Sequence, residues 1–212
     1  MTPEPLWPPF LALLAVGGLY AALPPSLLGG APRWLLVAIV TALMIPIVIF
    51  HRRGSHAFSH ALGYVLNLIV TVAIGSALGL LIMEVTQHTI TPPRLMYSAA
   101  ALWGANILVF ASWYWRLDAG GPHARARTSA HADGAFLFPQ MTMTDAAKIA
   151  AGEKEWKPNF VDYLFLAFNT STAFSPTDVP VLSRWAKGCM MLQAIISLLI
   201  IALLAGRAVN IL

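Results

Sequence analysis

The sequence predicts an all-α, polytopic integral membrane protein with about five transmembrane helices and one shorter, re-entrant, pore-like helix. Three observations carry that expectation. Hydrophobic residues make up 58% of the 212-residue chain and charged residues only 10%, against about a quarter charged in soluble domains. The apolar residues gather into runs, most of them near the ~20 residues a helix needs to cross a hydrocarbon core. The basic residues lie in the loops between those runs rather than in one patch, so the net charge of +4 reflects membrane topology and not nucleic-acid binding.

The first run covers residues 6–28 and contains Pro24 and Pro25, which kink it. Residues 1–10 hold no Lys or Arg, so a cleaved signal is not expected and the run stays as a membrane helix. The second run, 34–50, includes Pro46 and is closed by His51, Arg52 and Arg53. On the third, 61–83, Asn67, Thr71, Gly75 and Gly79 recur every four residues, a face of small and polar groups that admits a neighbouring helix; ion contact is the alternative. His56 and His60 share that spacing, but no Cys, Asp or Glu stands near them to complete a metal ligand set. Glu84 and His88 repeat it at the other end as a solvated helix terminus, with a proton-sensing pair as the alternative.

The fourth run, 96–115, ends in the interfacial aromatics Trp113, Tyr114 and Trp115. Asn106 near its middle needs a hydrogen-bond partner and must face other helices. Residues 118–134 are rich in Gly, Pro and mixed charge and read as a mobile loop. Thr144 then caps a short helix over 145–151, ended by Gly152. The chain so divides into a four-helix transmembrane region (1–115), a polar loop with a short helix (116–157) and a terminal module (158–212).

That module is the most informative stretch. Residues 159–172, NFVDYLFLAFNTST, give a helix of roughly 21 Å, too short to cross a core of ~30 Å. Residues 173–184, AFSPTDVPVLSR, are rich in hydroxyls and prolines, and irregular backbone at membrane depth is tolerated only where protein buries it or water reaches it. Residues 185–206 are long and apolar enough to span. The order of short helix, polar hairpin, acidic residue, proline and spanning helix resembles the pore module of the potassium-channel superfamily. In that family's TxTTxGYGD pattern Thr170, Ser171, Thr172 and Asp178 fall in place, followed by Pro180 and Arg184. The family's glycines are replaced by Ala173, Phe174, Ser175, Pro176 and Thr177. The same stretch is similar to a group of bacterial membrane proteins with an FSPTD hairpin, a resemblance that names no activity and implies the bacterial inner membrane.

The resemblance implies a pore helix ending at Thr172 and several copies, four by the family's symmetry, around the hairpin. Glycine reaches positive φ readily and proline is fixed near −65°, so a rigid carbonyl filter is not expected. The hydroxyls of Thr170, Thr172, Ser175 and Thr177 can replace part of an ion's water shell, and Asp178 adds a charge that draws cations. Weakly selective passage of monovalent cations is the functional expectation. Against it, Asp178 can instead cap the hairpin or pair with Arg184. Gln193 and Ser197 lie four apart on the last helix and must face the pore axis or a neighbouring helix.

Catalysis is not expected: the chain has no GxSxG elbow, no HExxH and no phosphate-cradling glycine loop. Its single cysteine, Cys189, permits neither a disulfide framework nor a paired-cysteine metal site, and no cofactor is implied. The expected partners are membrane lipid, further copies of the chain and monovalent cations. A non-conducting scaffold that binds a partner and a small transporter are the alternatives. If five runs span, ten of the thirteen basic residues share one side. The positive-inside rule makes that side cytoplasmic, whereas the channel resemblance puts the pore loop outside.

Overall fold

A computed structural model describes residues 4–127, 134–154, 156–172 and 179–209, and among them every regular element is helical. Four helices are long and apolar enough to cross a membrane: α2 (Leu35–Arg52), α3 (His56–Thr86), α4 (Pro92–Leu117) and α9 (Arg184–Val209). A fifth, α1 (Trp7–Ala21), has 15 residues and a following 3-10 turn, Pro25–Leu28. Prolines sit where the backbone tolerates them: α4 opens on Pro92 and Pro93, whose missing N–H groups have no intrahelical acceptor in a first turn. Pro46 is the exception, inside α2.

Helices α1 to α4 alternate in direction. Glu4 lies against Trp115 at the end of α4, while Gly29 approaches Leu80 far along α3, so residues 4–29 run the length of the bundle although α1 itself is short. The 3-10 turn, with Leu27 and Leu28 buried, makes up the missing length. α1 crosses α2 closely at Gly17, where a Cβ would stand 3.1 Å from a Val37 methyl. α4 is the hub, packed against α1, α3 and α9. The apolar core runs through these contacts from Leu13 and Val16 through Leu66 and Val70 to Leu102 and Ala105.

Over residues 118–127 the chain does not form the loop its composition predicts, and residues 128–133 lie outside the described residues. Asp118 to Gly120 make a 3-10 turn and α5 (Pro122–Arg127) follows, with Asp118 and Arg125 buried. Gly120 and Gly121 carry φ of 74° and 89°, the left-handed backbone that reverses the chain. Phe136 and Phe138, which an average over composition hides, are fully inside a second core with Tyr114, Trp115, Phe160 and Tyr163. Two short helices follow, α6 (Pro139–Thr142) and α7 (Asp145–Ala150); the Thr144 hydroxyl accepts from Ala147 N at 3.2 Å and Gly152 ends the turn at φ 76°. α8 (Phe160–Thr172) follows and, after residues 173–178, which lie outside the described residues, α9.

Candidate functional site

α8 starts where its sequence supplies a reciprocal cap. The Asn159 side-chain oxygen accepts from Val161 N at 2.8 Å, and Asp162 reaches back to accept from Asn159 N at 2.8 Å, pairing donors that a first turn leaves open. From that fixed start the helix packs between α4 and α9. Phe160 meets Trp115 with ring centres 6.3 Å apart, and Phe168 meets Trp103 at 6.0 Å, so α8 runs antiparallel to α4.

The return of the chain is equally fixed. Val181 forms an isolated antiparallel bridge with Phe136; Leu137 N donates to Pro180 O at 2.9 Å and Leu182 N to Ala135 O at 2.8 Å. Phe136 also touches Tyr163, in the first turns of α8, and Trp185, in the first turn of α9. Residues 180–185 therefore lie level with the entry of α8. α8 and α9 start side by side and run the same way, with Gln193 meeting Ala167 and Ser171 deeper in.

Gln193 is the centre of a buried network. Its Nε2 donates to Ala167 O and to Ser171 Oγ, both at 2.7 Å, and its Oε1 accepts from the Tyr114 hydroxyl at 2.6 Å. Asn106 Nδ2 donates to Ser197 Oγ at 2.9 Å and to Gln193 O at 3.2 Å. Five side chains from α4, α8 and α9 thus hold the three helices together, and Gln193, Ser197 and Ser171 are each 0% exposed. Thr170 is buried and its hydroxyl returns to Leu166 O; Thr172 is exposed, its hydroxyl donating to Phe168 O at 3.0 Å. Ser175, Thr177 and Asp178 lie outside the described residues. The outward face of α9 is apolar, with Met191, Leu192, Ile195, Leu198 and Leu199 exposed.

The polar stripe on α3 is only half used. Asn67 Oδ1 accepts from Ser112 Oγ at 3.0 Å, and Thr71 Oγ1 accepts from Trp113 Nε1 at 2.9 Å. Gly75 and Gly79 face open space, with no atom of another described element within 4 Å of where a Cβ would stand, so among the described residues the close helix approach expected there does not occur. A cleft beside Gly75, lined by Leu78, Ile196 and Ile200, is apolar apart from Thr71 and Asn106.

At the end of α4 a second cluster locks the module's rim. Asp118 Oδ2 accepts from the Tyr163 hydroxyl at 2.6 Å and its Oδ1 from Ala135 N at 2.5 Å. Arg125 donates to Trp115 O at 2.7 Å, to Asp118 O at 2.9 Å and to Glu4 Oε2 at 2.8 Å, while Trp115 Nε1 donates to Glu4 Oε1. Sequence reasoning missed Asp118, Arg125 and Glu4. The available signal was two oppositely charged residues seven apart beside buried-type aromatics, which is weak because loop charges are usually solvated. Comparison with protein-family models, with curated proteins and with solved structures returns no match.

Proposed function

We propose that this chain is an ion-channel-like membrane protein in which α8 and its hairpin enter the bilayer and leave it on the same side, and in which several copies surround the hairpin. The observation that supports this reading best is the level placement of Phe136, Val181, Tyr163 and Trp185, which returns the chain to the start of α8 before α9 begins. α8 ends partway along α4, beyond the level of Trp103, and a helix C-terminus carries about half a negative charge, which favours cations beyond Thr172. Asp178 adds a full negative charge in each copy. One short helix and one hairpin do not close a pore, so copies are required, and the exposed apolar face of α9 is available to lipid or to a neighbouring copy. With proline at position 176 in place of a filter glycine, passage discriminates poorly between potassium and sodium.

A second reading is favoured by one observation. Gln193, Ser197, Ser171 and Thr170 spend their polar atoms inside the chain, which leaves a pore along α9 with few hydrophilic groups. A non-conducting, partner-binding protein accommodates that directly. Reconstitution into liposomes separates the two readings. The channel reading expects sodium and potassium flux at similar rates, reduced several-fold by Asp178→Asn with the oligomer mass unchanged; an assembled protein that passes neither ion supports the scaffold.

A further inference from the structure

The seam between α3 and α4 contains a buried cation that none of the described residues neutralises. Arg116 is 5% exposed, yet no ion pair joins it to another described residue. Its Nε is buried without a hydrogen-bond partner. The guanidinium lies in the notch left by Gly63, where a Cβ would stand 1.8 Å from Nη1, and its carbon is 5.6 Å from the centre of the Trp115 ring. One helical turn deeper the same seam holds Ser112 and Asn67, four residues from Arg116 and Gly63 respectively. Asn67 Nδ2 is again buried and unpartnered, while its oxygen is satisfied by Ser112.

Both open atoms are donors. A guanidinium offers five N–H groups in a planar fork suited to phosphate oxygens, and a buried cation without a counter-charge costs several kcal/mol. The surroundings match a bilayer interface. Tyr64 and Trp113 stack with ring centres 6.3 Å apart beside the seam, and Arg52 and Arg53 are exposed at the same end of the bundle. We infer that Arg116, with Asn67 beneath it, forms a binding site between α3 and α4 for a phosphate oxyanion. That group can be the headgroup phosphate of an anionic lipid or a free phosphate.

The test uses the full chain purified in detergent. Native mass spectrometry reads retained phosphatidylglycerol against phosphatidylcholine, and thermal unfolding reads stabilisation by inorganic phosphate. The wild type is expected to retain phosphatidylglycerol selectively, to be stabilised by phosphate, or both; the first response alone identifies a lipid source and the second alone a free anion. Arg116→Met should weaken the response roughly tenfold or more, as loss of a charge-assisted pair does. Gly63→Ala, which fills the notch and displaces the guanidinium, should do the same, and it carries the test alone if the Met variant does not fold. Arg53→Met, at an exposed position, should leave the response intact. No response to either probe in the wild type, an undiminished response in Gly63→Ala, or an equal loss in Arg53→Met overturns the site.

Discussion

α4 takes part in two polar seams, and they are built on different terms. Against α8 and α9 the Gln193 amide uses both N–H groups and its oxygen, and no member of that network has an unpartnered buried atom. Against α3 the Asn67 amide is satisfied only at its oxygen, and Arg116 above it has no described counter-ion. A closed network fixes the relative placement of helices, because every rearrangement leaves a donor or acceptor bare. An open one leaves room for a ligand from outside the chain. The difference assigns a structural role to Gln193 and Ser197 and a binding role to Arg116.

The largest effect should come from Gln193→Leu. It strips partners from Tyr114, Ser171 and Ala167 at once, and a buried group left unpaired costs about 1–3 kcal/mol in water-soluble cores but nearer ~0.6 kcal/mol per interhelical bond in membranes. A loss of roughly 2–4 kcal/mol in detergent unfolding is expected; a change below that of the next variant would undo the contrast. Asn67→Leu removes an amide already half unsatisfied and bares only the Ser112 hydroxyl, so it should cost less than about 1 kcal/mol in the same assay. Thr172→Val sharpens the comparison further, since this exposed hydroxyl serves its own helix: unfolding should barely move, and any change in cation flux would then belong to conduction.

The smallest effect concerns pH. Burial raises the Asp162 carboxyl above its ordinary 3.8, partly offset by the amide of Asn159. The fold therefore favours the protonated form, and Asp162 lowers stability progressively as pH rises from the unfolded value through the raised, folded one. Asp162→Asn keeps the cap oxygen and should flatten that portion of the unfolding profile, as thermal scans across acid pH can check.

Much of the architecture was legible because long apolar runs have one outcome in a bilayer. α2, α3, α4 and α9 follow the expected spans within a few residues, and the Thr144 cap and the Gly152 stop lie where side-chain chemistry puts them. Asn106 was legible as a residue in need of a partner, but its partners on α9 are 87 and 91 positions away, and nothing local encodes that distance. Residues 128–133 lie outside the described residues, but over 118–127 the loop expected from composition departs from the structure for a related reason. Its Gly, Pro and Arg content averages to a solvated loop, whereas Arg125 finds Glu4 from the far end of the sequence and, just beyond the expected loop, Phe136 and Phe138 bury among Tyr114, Trp156 and Tyr163. Gly75 and Gly79 show the converse: spacing that permits close packing does not require it.

That α8 and its hairpin enter and leave the membrane on one side is tested most directly by thiol labelling. In a Cys189→Ser background, single cysteines replace Asn159, just before α8, and Leu182, near the end of the hairpin segment; both positions are exposed. A third replaces Gln87, exposed at the opposite end of the bundle. An impermeant maleimide applied to oriented vesicles should label positions 159 and 182 from the same face and position 87 from the other. Labelling of 159 and 182 from opposite faces would make α8 and the hairpin a full crossing and contradict the re-entrant, pore-like module.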